Sequence, residues 1–171
     1  LNGANLLHKT VKEVVIIGGK FPEGKNEYNF KGDQNGVTRF VIEKLKMPVV
    51  FTGFEVGEVI KTGETLNNLE KNTPLYKGFY FSNSHAPWTK QIFKGKILPT
   101  SSFDQTAVLY AVKGGAGKYW EKVRNCYCEV DDNGDNRWIT GKSGNHSYLK
   151  LIKPGEEIAK IVESAMLHKE E

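Results

Sequence analysis

The apolar positions of this 171-residue chain fall into short unbroken runs that alternate with helical stripes. Residues 11–19, Val-Lys-Glu-Val-Val-Ile-Ile-Gly-Gly, read as a charged approach, a buried strand and a glycine turn. Residues 33–46 set Val37, Phe40, Val41 and Leu45 at helical spacing, with Asp33 as a cap near the start and Met47-Pro48 as the stop. Val49-Val50-Phe51-Thr52-Gly53 is a second apolar run, suited to a parallel strand covered on both faces. Glu55 to Thr62 predicts a short helix. This strand–helix–strand–helix rhythm predicts an α/β fold built on an open, mostly parallel sheet flanked by helices.

Residues 63–73 read as polar loop, and Pro74 to Ser82 as a helix rich in aromatics, with Tyr76, Phe79, Tyr80 and Phe81. Asn83 to Ser102, broken by Pro87 and Pro99, is irregular. Asp104 to Val112 predicts a strong helix ended by Gly114-Gly115. Cys126–Val130 and Arg137–Thr140 predict a C-terminal β-hairpin around Asp131-Asp132-Asn133-Gly134. Tyr148 to Ile152 reads as a further strand, and Pro154 opens a terminal helix, Glu156 to His168. No repeat or linker divides the chain. It begins at Leu1, in what reads as the middle of a helix, so residues 1–171 are expected to be the C-terminal part of a larger domain.

Composition acts mainly by exclusion. Lys and Arg number 24 against 20 Asp and Glu, a net charge of +4. The basic residues are scattered; Lys9, Lys12, Lys20 and Lys25 lie near the front without an Arg-rich face, which argues against a nucleic-acid partner. No stretch approaches the roughly 18 apolar residues of a membrane span, so no membrane partner is expected. The two cysteines, Cys126 and Cys128, share one strand face by alternation. Zinc needs four ligands, and no partners stand at ligand spacing, so the pair reads as strand packing.

Several segments carry candidate chemistry. Glu27-Tyr28-Asn29 follows the first strand and its Gly18-Gly19 turn. A carboxylate and a carboxamide there, beyond the carboxyl end of a strand, can both point at one polyol. Gly19 to Asn26 nearly satisfies the phosphate-loop pattern, but Asn26 replaces the metal-binding hydroxyl, Pro22 removes an amide and Glu23 adds a negative charge. Asp131 to Asp135 has the flavour of a calcium loop, yet Asn136 stands where glycine is required and Lys142 where a bidentate glutamate is required. Asp104, after Ser101-Ser102-Phe103, reads equally as an N-cap and as a metal ligand at a loop-to-helix junction. The four histidines are dispersed, and His85, near Pro87 and Trp88, is the one of interest.

Taken together, Ile17-Gly18-Gly19, Glu27-Tyr28-Asn29, Asp33 and the run Ser102-Phe103-Asp104-Gln105-Thr106-Ala107-Val108 resemble the inosine–uridine-preferring nucleoside hydrolase family. So does the tail, through Tyr119-Trp120, Glu129-Val130-Asp131, Asn136-Arg137-Trp138 and His146-Ser147-Tyr148-Leu149, which looks like a bacterial branch of such proteins. The resemblance implies Ca²⁺-assisted hydrolysis of the N-glycosidic bond of a nucleoside to ribose and free base. It implies that Asp104 is a metal ligand, that Glu27 and Asn29 bind ribose hydroxyls, and that Ile17 lies under the sugar. Asn26 stands nearest the family's additional ribose-binding asparagine.

Three departures mark this sequence. The family's aspartate cluster, D-x-D-x-x-x-D-D, which supplies the general base and most metal ligands, is absent from these residues. Phe103 replaces a histidine that protonates the leaving base in purine-active members. The loop before Glu27 is short. The candidates for handling the base are therefore Phe103, Tyr76 and Trp88 as its pocket, and His85 or Tyr80 as leaving-group acid. The expected partner is a nucleoside or another ribosyl compound, with room for a homo-oligomer. The rival expectation is a relative that binds a nucleoside or sugar without cleaving it.

Overall fold

A computed structural model describes residues 3–32, 34–114, 116–141 and 144–167. Asp33, Gly115, Lys142 and His168, all used in the sequence reading, lie outside the described residues. Helix α1 (Gly3–Thr10) leads into strand β1 (Val14–Ile17), followed by the short β2 (Glu23–Gly24) and one turn of helix, α2 (Tyr28–Lys31). Helix α3 (Val37–Lys44), strand β3 (Val49–Thr52) and helix α4 (Phe54–Glu58) come next. The expected helix over Glu55–Thr62 is shorter: it yields to β4 (Lys61–Thr62) and a 3₁₀ turn, Glu64–Asn68. Helix α5 (Pro74–His85) extends three residues beyond the expected end, to His85 rather than Ser82. Then follow β5 (Thr100–Ser101), α6 (Asp104–Lys113), β6 (Trp120–Val130), β7 (Asn136–Thr140), β8 (His146–Leu151) and α7 (Gly155–Met166).

Six strands form one sheet in the order β1-β3-β8-β6-β7-β2, and β4 and β5 pair separately. The fold is α/β with flanking helices, but the sheet is mixed rather than mostly parallel. It is parallel across β1, β3 and β8 and antiparallel across β8, β6, β7 and β2. The sequence pattern reports the parallel half because those strands are covered on both faces; Val49, Val50 and Phe51 are fully buried. The antiparallel half rests on the long strand β6, whose pairing with β8 shifts register between Val123 and Cys126. That irregularity breaks the alternation in its first half.

Each face of the sheet has its own core. On one, Val50 and Leu149 meet Val56 and Ile60 from the α4 region, Leu109 and Tyr110 from α6, and Ile158 and Val162 from α7. On the other, Phe51, Val49 and Tyr148 meet Phe21, Phe30 and Ile42. Helix α3 sits there in a different rotation from that expected. Ile42 is its buried residue, whereas Val37, Phe40 and Val41 are 48%, 60% and 45% exposed. Cys126 and Cys128 pack into this second core as free thiols, and burial pushes the Cys128 thiol up to about 12. In the Asp131–Asp135 turn, Asp131 Oδ1 accepts the amides of Asn133 (2.8 Å) and Asp135 (2.9 Å), so it is the turn that uses this carboxylate.

A smaller cluster of Leu66, Tyr76 and Ile97 joins the 3₁₀ turn to α5. Glu163 of α7 ties this region to the main body. It is buried, and it accepts the Gly63 amide (2.6 Å) and the Thr65 hydroxyl (2.5 Å). Among the described residues no helix is long and apolar enough to cross a membrane.

Candidate functional site

The site grows from the carboxyl ends of β1 and β3. Past Ile17 the chain turns through Gly18 and Gly19, and Gly19 has φ 73°. A Cβ on Gly19 would stand 2.8 Å from the Phe30 ring, so the glycine lets Phe30 seat beneath the turn. Glu27 is the N-cap of α2. Its Oε2 accepts the amides of Gly19 (2.7 Å) and Phe30 (3.1 Å), and its Oε1 accepts that of Asn29 (3.1 Å). Three amide donors hold this carboxylate in one orientation, and Oε1 keeps acceptor capacity for a ligand hydroxyl. Asn29 is exposed beside it, and Ile17 is half-buried at the end of β1. The Asn26 backbone amide donates to Asp135 Oδ1 at 3.0 Å.

The turn that resembles a phosphate loop has its amides occupied by the protein's own side chains. Besides the Gly19 amide on Glu27, the Lys20 amide donates to Asn136 Oδ1 (3.0 Å) and the Phe21 amide to Glu55 Oε2 (3.2 Å). Two carboxylates stand where a phosphate would need its donors.

Phe54 links this turn to Asp104. Its amide donates to the Gly19 carbonyl at 2.8 Å. Its ring stacks on Phe103, with centroids 5.4 Å apart and planes inclined by 29°. Phe103 is held close to α4, because a Cβ on Gly57 would fall 2.4 Å from its ring and 2.8 Å from its Cα. Asp104 is the first residue of α6, and Phe103 occupies the cap position without a side-chain cap bond. The capping reading of Asp104 therefore fails, since its exposed carboxylate is one position inside the helix. It lines an open cavity of about 980 Å³ together with Phe54, Phe79, Trp88, Ile92 and Phe103.

Helix α5 separates the other candidates from that cavity. Leu75, Phe79 and Ser82 face the Asp104 side. Tyr76, Tyr80 and His85 face a second hollow of about 520 Å³. There Tyr76 and Tyr80 stack at 5.7 Å, and the His85 ring lies 4.0 Å from Phe81. His85 ends α5 rather than sitting in a loop, and its Nδ1 contacts the Ser84 hydroxyl (2.8 Å) and the Phe81 carbonyl (2.9 Å). Trp88 and Phe103 thus line the Asp104 cavity, while Tyr76, Tyr80 and His85 do not. Glu27 and Asn29 lie on the same sheet edge as that cavity but outside its wall.

Glu55 escaped the sequence reading, which used it only as a helix start. Its Oε1 is buried with no hydrogen-bond partner. Burial foremost, with the neighbouring Glu27 charge, raises its pKa above 4.5, against the opposing influence of backbone hydrogen bonds, Phe21's among them, and of Lys20. The available signal was an acid directly after the glycine that ends a buried strand, at the carboxyl edge of the sheet.

Asp104 offers one hard oxygen donor, whereas Ca²⁺ takes six to eight. Among the described residues no three His, Cys, Asp or Glu side chains gather as a metal cage, so these residues do not by themselves fit a Ca²⁺ site. Neither a protein-family model nor a curated protein matches the chain.

Proposed function

We propose that this chain forms the C-terminal, sugar- and base-contacting part of a nucleoside N-ribohydrolase. The observation that carries the reading is Phe54, whose amide bonds to the turn aimed by Glu27 and whose ring stacks on the neighbour of Asp104. In this reading Glu27 Oε1 and the Asn29 carboxamide bind ribose hydroxyls. Asp104 faces the sugar, and the base lies against Phe54, Phe103 and Trp88. Cleavage of an N-glycosidic bond develops positive charge on the ribosyl ring, which nearby carboxylates stabilise. The general base and the remaining oxygen ligands of a Ca²⁺ would come from outside these residues. The β1 edge is consistent with such an addition. It is an edge strand of four β-branched residues, all half-buried, with none of the lysines or prolines that protect a free edge.

A second reading, binding without cleavage, is favoured by one observation: His85 and Tyr80, the leaving-group candidates, lie across α5 from Asp104. One comparison separates the two. With the general base and remaining ligands supplied, nitrophenyl riboside, which needs little protonation on leaving, is expected to be cleaved with a higher kcat/KM than inosine. Equal values would mean that an efficient acid serves the site. Inosine binding with no cleavage of either compound would establish the binder.

A further inference from the structure

We infer that Glu55 is the positioning residue of this sheet edge: its carboxyl group, seated over Gly53 and holding the Phe21 amide, fixes the turn from which Glu27 is aimed. Three side chains clamp the three successive residues of the turn. Glu27 takes the Gly19 amide, Asn136 takes both the amide (3.0 Å) and the carbonyl (2.8 Å) of Lys20, and Glu55 takes the Phe21 amide. They come from α2, β7 and α4, so the turn is set from outside itself on every side. The seat of Glu55 is specific. A Cβ on Gly53 would stand 2.5 Å from both of its carboxyl oxygens, so glycine at this position is what allows the carboxyl to fold back. Phe54, between Gly53 and Glu55, bonds to the same turn through the Gly19 carbonyl.

Glu55 differs from the other two clamps in its unpartnered, buried Oε1. A carboxyl oxygen in that position is tolerated better neutral than ionised. The charged groups that face it are Lys20 from the turn and Glu27 from the α2 cap. When Glu55 ionises, a second negative charge appears beside Glu27, and the clamp changes from a neutral to a charged acceptor. Folding linkage gives the same direction. Glu55 binds its proton more tightly in the folded chain, so its contribution to stability is complete at pH below the unfolded-state pKa. That contribution is lost as pH rises through the folded-state value, which lies above 4.5.

The role in aiming Glu27 at a ribosyl ligand rests on the function proposed above; the clamp itself does not. The test follows the Gly19 and Phe21 amide resonances of ¹⁵N-labelled protein against pH, in wild type, Glu55→Gln, Glu55→Ala and Gly53→Ala, and measures inosine affinity for each at pH 5 and pH 8. In wild type the Phe21 amide is expected to titrate with a midpoint above 4.5, and in Glu55→Gln to be flat. Glu55→Gln keeps the turn and the affinity at both pH values. Glu55→Ala moves both amides and lowers inosine affinity about tenfold, the loss of one hydrogen bond to a charged or acidic acceptor. Gly53→Ala, which keeps the acid but displaces it, moves the Phe21 amide and leaves the fold intact. Amides that ignore Glu55 in every variant, or that titrate unchanged in Glu55→Gln, would overturn the inference. Wild type that binds no inosine while the amides behave as expected would overturn the functional reading and leave the clamp standing.

Discussion

Replacing Asp104 by alanine is expected, on the function proposed above, to lower riboside turnover by about a hundredfold or more, the usual loss when a charge-stabilising group is removed from a reacting centre. The fold should barely notice. Asp104 makes no cap bond, and its carboxylate is exposed at the cavity wall. Its structural contribution is the interaction of an acid with the first turn of α6, worth about 0.3–1 kcal/mol. Activity and stability should therefore separate. Asp104→Asn, which keeps the shape and removes the charge, should share the loss of turnover if charge is what matters. Phe103→Ala should instead raise KM more than it lowers kcat, because in the proposed site its phenyl ring packs against the base, and it carries no titratable group. Steady-state kinetics on the three variants, beside their urea midpoints, checks this. A Asp104→Ala protein as active as wild type would remove Asp104 from the site.

The largest stability effect is expected at Phe51. It is fully buried in β3, with ring centroids 5.4 Å from Phe21, 5.8 Å from Phe30 and 5.5 Å from His146. Phe51→Ala leaves a cavity that three rings and a sheet cannot close, and should cost about 3–5 kcal/mol. Against a typical total of about 5–15 kcal/mol this is roughly a fifth of the stability or more. The loss also reaches the site, because Phe21 and Phe30 bracket the turn that holds Glu27. Val112→Ala, at a position 77% exposed on α6, should change stability by no more than about 0.5 kcal/mol. Chemical denaturation followed by the fluorescence of Trp120 and Trp138, both buried, measures the difference. A Phe51→Ala protein within 1 kcal/mol of wild type, about one bond's worth, would contradict the packing described.

The parts of this fold that were legible in the sequence are those where one local pattern has one physical cause. β1 and β3 are short, largely apolar runs because a parallel strand is covered on both faces. α6 reads correctly from Asp104 to Gly114, where the backbone turns to a φ of 65°. Helix α3 shows the limit. Of its stripe of Val37, Phe40, Val41 and Leu45, only Leu45 packs on the second core, and Ile42 is the residue that the sheet buries. Periodicity gives a helix an apolar face but does not say whether anything packs on it. The first half of β6 was missed because its bulge interrupts the alternation that would reveal it.

The candidate site could be read from the sequence as a set of residues and not as geometry. Glu27 was singled out for ligand binding, but one of its three amide partners, Gly19, lies in a turn eight residues earlier. The bond between Glu55 and Phe21 spans 34 residues, and no spacing rule reaches that far. The aromatic set Tyr76, Tyr80, His85, Trp88 and Phe103 is one cluster in the sequence and two in space, because α5 turns alternate faces to the two hollows.

Mapping inosine onto ¹⁵N-labelled chain by chemical-shift perturbation tests most directly whether Glu27, Phe54 and Asp104 belong to one ribosyl site. The method registers weak binding, so it needs no further polypeptide. Saturable shifts are expected at the amides of Gly19, Asn29 and Phe54 and of residues 103–105, with the Trp88 indole following, and with the Tyr80–His85 hollow unmoved. Shifts confined to Tyr76, Tyr80 and His85, or two groups of residues that saturate at different inosine concentrations, would contradict a single site at the carboxyl edge of β1 and β3.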